Sequence, residues 1–96
     1  MLMLITYDVS TETTAGRRRL RRVARACLDY GQRVQNSVFE CEVDPAQWAV
    51  LKSRLIGEIV PAEDSLRFYR LGAEGHRRIE HVGSKPVLDL DGPLVF

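Results

Sequence analysis

Hydrophobic positions follow two different periods along this chain, and each change of period marks the start of a new element. Leu2–Asp8, LMLITYD, is a short apolar run that stops abruptly on a tyrosine and a carboxylate and is followed by the polar cluster Ser10–Thr14. Such a run reads as a buried, central strand. It leaves Asp8 at the strand's carboxyl end, the edge where layered α/β structures expose their chemistry. From about Gly16 to Tyr30 the spacing becomes helical. Leu20, Val23, Ala24, Cys27 and Leu28 stand at i, i+3, i+4, i+7 and i+8, a stripe that must face a sheet, with Gly31 as the expected C-cap.

The stretch GQRVQNSVFECEV returns to alternation through Val34, Val38, Phe39, Cys41 and Val43. Neither Gly nor Pro marks a turn inside it, so one bent strand and two short strands broken at Asn36-Ser37 both stay open. Asp44, Pro45 and Gln47 are an N-cap, a first-turn proline and the partner of a capping box. They open a second helix. Trp48, Leu51, Leu55 and Ile59 form its buried stripe, which makes Trp48 a core residue, and Pro61 stops it. Ser65–Leu71 alternates again with Leu66 and Phe68 on one face, and Arg78–Gly83 is a strand too short to stand without a sheet edge to join.

This order predicts an α+β, ferredoxin-like sandwich: a mainly antiparallel sheet with two helices on one face. Residues 1–83 are assigned to that domain. The segment 84–96 carries two prolines and no pattern able to form a core, so it is expected to be a tail that is loosely attached or docked on a partner. A 96-residue chain hides only somewhat more than ~60% of its unfolded surface, so dimerisation would help it. The expected homodimer has the short strand 78–83 completing the partner's sheet.

Composition narrows the class. With 45% hydrophobic and 28% charged residues the chain is an ordinary soluble one, and no run approaches the ~20 apolar residues of a membrane span. The N-terminal run lacks a basic flank and a small-residue cleavage site, so a cytoplasmic location is expected. Cys27 and Cys41 lie far apart without CxxC spacing or neighbouring histidines, which suits core thiols. His76 and His81 have no acidic or cysteine partner at ligand spacing and read as surface residues.

The net charge of +1 hides an asymmetry. Residues 1–35 hold seven arginines against Asp8, Glu12 and Asp29, a net of +4, while the remainder carries −3. Arg18, Arg21, Arg22 and Arg25 repeat the helical spacing opposite the apolar stripe, a ridge of like charges with no compensating acids among them. Each like-charged i, i+4 pair costs the helix a few tenths of a kcal/mol. The ridge is therefore either a grip on a polyanion backbone or simply a solvated face. As a grip it would give a dimer about eight contacts, in the range that loses ~10³ to 10⁵ in affinity between 50 and 200 mM salt.

The strand ending in TYDVS, the Arg-rich helix closing on YG and the stretch RVQNSVFECEV together resemble the small CRISPR-associated adaptation protein family known as Cas two, over roughly residues 1–83. The resemblance implies a ferredoxin-like homodimer that bridges dimers of the integrase Cas one during spacer acquisition. It also implies, for some members, metal-dependent endonuclease activity on RNA or DNA. Tyr7 and Asp8 match the family's strand-end pair. Arg19 and Arg22 fall in its basic helix, and Arg33 and Phe39 in its second signature stretch. The expected nucleic-acid-binding residues are thus Arg18, Arg19, Arg21, Arg22, Arg25 and Arg33, with Asp8 as catalytic residue and metal ligand for Mg²⁺ or Mn²⁺.

A phosphodiesterase of this kind needs an activated water and a cation beside the phosphate oxygens. One carboxylate is a thin magnesium site. An isologous dimer can double it by setting Asp8 against its own copy. Tyr7 alternates to the other face and reads as packing rather than as a proton donor. Against the catalytic reading stands an Asx turn, in which Asp8 only accepts a nearby backbone N–H. Three functions are therefore weighed: a nucleic-acid-binding adaptor, a metal-dependent nuclease, and a ferredoxin-like metabolite-sensing or regulatory module without nuclease activity, which the fold alone permits.

Overall fold

A computed structural model describes residues 1–72 and Glu80. The chain runs β1 (Leu2–Asp8), α1 (Thr14–Leu28), β2 (Gly31–Gln35), β3 (Val38–Glu42), α2 (Pro45–Glu58) and β4 (Ser65–Gly72). The sheet order is β2-β3-β1-β4 with every neighbouring pair antiparallel. This is the split βαβ arrangement of a ferredoxin-like α+β sandwich, with β1 in an interior position as its unbroken apolar run requires.

Alternation along the strands decides what each face does. Met3, Ile5 and Tyr7 of β1 and Phe39 and Cys41 of β3 point to the side where the helices pack. There they meet Val23, Ala24, Ala26 and Cys27 of α1 and Leu51 and Leu55 of α2 in one core. Trp48, expected in the core, is partly buried at its margin and packs edge-on against Phe68 at 4.9 Å between ring centres. Both cysteines are free and fully buried, and burial pushes each thiol up to about 12, so neither is available as a thiolate. Leu4, Thr6 and Asp8 point the other way. Their cross-strand partners on β4 are Tyr69, Arg67 and Ser65, and Glu40 and Val38 of β3 stand opposite Leu4 and Thr6.

The structure decides one boundary left open by the sequence and corrects the first helix at its ends and in its buried stripe. GQRVQNSVFECEV is two strands, a hairpin turning at Asn36-Ser37 with Gln35 opposite Val38. Neither turn residue has a positive φ, which is why the turn needs no glycine. The first helix begins at Thr14, capped by Thr13 whose Oγ1 accepts from the Gly16 N–H at 3.0 Å, and it ends at Leu28 with Asp29 as C-cap. Gly31 is thus not the C-cap. It opens β2 where a Cβ would lie 2.0 Å from the Glu40 carbonyl and 2.7 Å from the Cys41 Cα, so the close approach of β3 selects glycine. Leu28, expected in the stripe, is 50% exposed, and the buried arc runs instead through Gly16, Arg19, Val23, Ala26 and Cys27.

The second helix forms as its sequence dictates. The Asp44 carboxylate accepts the Gln47 N–H at 2.7 Å, and the Gln47 side chain accepts the Asp44 N–H at 2.9 Å. The expected strand 78–83 and the tail 84–96 lie, Glu80 apart, outside the described residues, as do His76 and His81. Among the described residues no helix is long and apolar enough to cross a membrane.

Candidate functional site

Asp8 is the last residue of β1 and is exposed, opposite Ser65 at the first residue of β4. It opens onto a depression of about 240 Å³ lined by Thr6, Tyr7, Asp8, Ser65, Leu66 and Arg67. Strand alternation puts Thr6, Asp8, Ser65 and Arg67 on the side away from the helices. The mouth therefore combines a carboxylate, two hydroxyls and a guanidinium. Arg67 is a residue that sequence reasoning missed; it reaches the mouth through the pairing of β1 with β4, which its local spacing does not announce.

Tyr7 behaves as its alternation predicts. It is buried, stacks on Phe39 with ring centres 6.0 Å apart, and donates its N–H to the Ser37 carbonyl at 3.1 Å and its hydroxyl to the Asn36 carbonyl at 3.4 Å. Burial raises the phenol above its usual value, with Arg33 opposing, so the group stays protonated and serves packing.

The Asx-turn reading of Asp8 requires its carboxylate to accept the N–H of Ser10, two residues on. That N–H goes elsewhere: it donates to Asp64 Oδ1 at 3.0 Å. Asp64 stands just before β4 with its side chain fully enclosed. Its Oδ2 accepts from Arg19 Nε at 2.7 Å and from the Val60 N–H at 2.9 Å, and Arg19 Nη2 reaches Asp64 Oδ1 at 3.3 Å and Glu63 Oε2 at 3.2 Å. The Arg19 guanidinium, with the two backbone N–H groups, holds the Asp64 carboxyl down to about 2. Among the described residues no hydrogen bond or ion pair engages the Asp8 carboxylate.

Arg19 therefore leaves the nucleic-acid-binding set. The resemblance places it in the family's basic helix, but it is buried on the inner arc of α1 and committed to Asp64 and Glu63. The remaining arginines divide into two kinds. Arg18 and Arg21 are exposed and have no acidic partner among the described residues. Arg22 pairs with Glu58 at 2.5 Å and Arg25 with Asp29 at 3.4 Å, so acids from α2 and the helix end do compensate part of the ridge. Arg25 nevertheless stays 76% exposed. Asp29 is also held by Arg54 at 2.7 Å, and that bond, with Arg25 adding to it, lowers its pKa. Arg33 lies on β2 with its guanidinium 5.2 Å from the Phe39 ring centre, a cation–π contact on the helix side of the sheet.

These placements separate two surfaces. The ridge on the outer side of α1 and the Asp8 mouth lie on opposite sides of the sheet, so within one chain the ridge does not hold a substrate against Asp8. Among the described residues no three His, Cys, Asp or Glu side chains converge to cage a metal. Asp8 offers a single carboxylate with no partner among the described residues, a donor type that a hard divalent cation accepts while keeping most of its waters.

Comparison with known proteins agrees with the fold. Residues 1–79 match the family model described as CRISPR associated protein Cas2. The chain is 65% identical, over 99% of its length and 100% of the relative's, to a protein of Rhodospirillum rubrum named CRISPR-associated endoribonuclease Cas2 3. It is 56% identical, over the full length of both, to one of Halalkalibacterium halodurans named CRISPR-associated endonuclease Cas2. The crystal structure of Streptococcus pyogenes Cas2 at pH 6.5 superposes with a TM-score of 0.78 at 59% identity, covering 86% of this chain and 100% of that one.

Proposed function

Because the chain belongs to the CRISPR-associated Cas2 family, we propose that it is a nucleic-acid-binding subunit of CRISPR adaptation that also cleaves phosphodiesters, RNA first, with Asp8 as the carboxylate that holds a divalent cation, Mg²⁺ or Mn²⁺. The observation that carries the catalytic part is the Ser10 N–H: the bond that would make Asp8 a turn residue goes to Asp64, and the Asp8 carboxylate is left facing an open mouth. The names of the relatives, endoribonuclease and endonuclease, support phosphodiester cleavage, and the first of them supports RNA as the substrate class. When bound, the cation would supply an activated water and neutralise charge growing on the phosphate oxygens. Asp8 would hold it, Arg67 on the same face would meet a phosphate oxygen, and Thr6 and Ser65 would hydrogen-bond what lies between.

The active form in this reading is a homodimer. The side of the sheet away from the helices presents partly buried Leu4 and Val38 beside Tyr69, which is 41% exposed, apolar area that a second copy would cover. A two-fold axis near Asp8 would then supply the second carboxylate. Residues 78–83 would add to the partner's sheet, and residues 84–96 together with the dimer would engage the integrase as an adaptor. The exposed guanidinium groups of Arg18, Arg21 and Arg25 favour the binding role, since they serve phosphate contact on a surface where cleavage does not occur.

The test is cleavage of a single-stranded RNA and of a duplex DNA by wild type and Asp8→Asn, each with Mg²⁺, with Mn²⁺ and with EDTA. Wild type should cleave with either metal, and the variant should lose at least ~10²-fold, since removal of a ligand with its charge eliminates the cation site. Duplex binding should be unchanged in the variant because the ridge is elsewhere. Metal-dependent cleavage that persists in Asp8→Asn would place the chemistry at another residue.

A further inference from the structure

Resting on the reading of Asp8 as the cation's carboxylate, we infer that Asp64 is a positioning residue: by capturing the Ser10 N–H it keeps Asp8 from closing into an Asx turn and so holds it available to a cation. The local backbone is pinned from two sides. The Ser10 N–H donates to Asp64 Oδ1 at 3.0 Å, and the Ser10 carbonyl lies where a Cβ on Gly16 would approach to 2.0 Å, so the helix start fits against it. Asp64 is fixed in turn. Its second oxygen takes the Val60 N–H at 2.9 Å and Arg19 Nε at 2.7 Å, which ties the connection between α2 and β4 to the segment that follows β1.

Register explains why these two carboxylates compete for one donor. Asp8 pairs with Ser65, so Asp64 precedes by one residue the strand partner of Asp8. An aspartate at the end of a strand ordinarily satisfies the N–H two residues on. Here a carboxylate from across the sheet performs that task from a buried position. Asp8 is released from it, and a carboxylate not already accepting a backbone N–H binds a cation more tightly.

Two variants separate this role from plain structural support. Arg19→Gln removes the ion pair but leaves Asp64 to accept the Ser10 N–H; Asp64→Ala removes both. Each lowers the melting temperature. With Mn²⁺ as the probe, and at a temperature where both proteins are folded, Asp64→Ala should bind about tenfold more weakly than wild type and Arg19→Gln about as tightly. An equal loss in both variants, or no loss in either, overturns the inference.

A metal-free readout distinguishes failure of the inference from failure of the Asp8 reading. Hydrogen exchange of the Ser10 amide should be unaffected by Asp8→Ala in the wild-type background, because Asp64 protects it. In the Asp64→Ala background the amide should stay partly protected through Asp8 and lose that protection when Asp8→Ala is added. If Asp8 removal makes no difference in either background, the two carboxylates do not compete and the inference is wrong, whatever the metal titration shows. If the exchange pattern is as expected but wild type binds no Mn²⁺, the competition stands and the cation role of Asp8 falls, taking the positioning role with it.

Discussion

Raising salt from 50 to 200 mM should weaken binding of a duplex by this protein about 100-fold, and far less in a variant lacking Arg18 and Arg21. The magnitude comes from counting cations that are free to release counterions. Arg18 and Arg21 have no acidic partner among the described residues, so a dimer offers about four such contacts. A salt slope of ~0.9 per contact then gives ~10² for a fourfold change in salt. Arg22 and Arg25 must first leave Glu58 and Asp29, which returns part of their contribution. The effect expected from the unpaired pattern of the sequence, ~10³ to 10⁵, is therefore reduced by two ion pairs, the i,i+4 pair Arg25–Asp29 and the long-range pair Arg22–Glu58 that only the fold reveals. Filter binding or fluorescence anisotropy across a salt series measures the slope. The double variant Arg18→Ala, Arg21→Ala should flatten it by about four units per dimer, whereas Arg22→Ala should flatten it by less than one per chain. Equal slopes for wild type and the double variant would make the ridge a solvated face.

Asp64→Ala should be the most destabilising polar substitution in the described part of the chain, by about 3 kcal/mol, because it strips the main partner from a buried guanidinium, leaves the Val60 N–H without an acceptor and leaves the Ser10 N–H only the weaker turn bond to Asp8. Glu63 still reaches Arg19, which keeps the loss near the low end of the range for broken buried pairs. For a domain of this size such a loss corresponds to a melting temperature lower by roughly 12 to 24 °C. The pH dependence follows from the direction of the shift. The folded pKa of Asp64 is depressed to about 2, so its contribution is fully present above the unfolded value of ~3.9 and is lost as pH falls through about 2. Thermal melts should therefore show a constant gap between wild type and variant from pH 5 to 8 that narrows only below about pH 4. A gap that shrinks at neutral pH would assign the stability to some other group.

The topology was legible because local signals agreed with it: the apolar run of β1, the period-2 alternation in β3 and β4, and the Asp44-Pro45-Gln47 start of α2 need no tertiary information. The break at Asn36-Ser37 was visible only as an option, since a hairpin turn without positive φ leaves no glycine to announce it. Arg19 entered the binding set through the family resemblance, whereas the helical spacing of the ridge leaves it out. It stands three residues from Gly16 and four from Val23, on the inner arc, and the acids that complete it arrive 44 and 45 residues later in the chain. Spacing keeps Arg19 off the outer ridge but cannot show which acids it meets. Asp8 was legible as a strand-end carboxylate, but its release from the Asx turn depends on Asp64, a long-range contact that no spacing within the loop encodes. Arg67 was passed over for a related reason: it joins the mouth through pairing of β1 with β4.

The measurement that bears hardest on Asp8 is calorimetric titration of Mn²⁺ into the wild-type protein and into Asp8→Asn, with sedimentation of both under the same conditions. The dimer with its two Asp8 carboxylates should bind one Mn²⁺ for every two chains, and Asp8→Asn should bind none while remaining dimeric. Binding of Mn²⁺ by Asp8→Asn with the stoichiometry and affinity of wild type would contradict it.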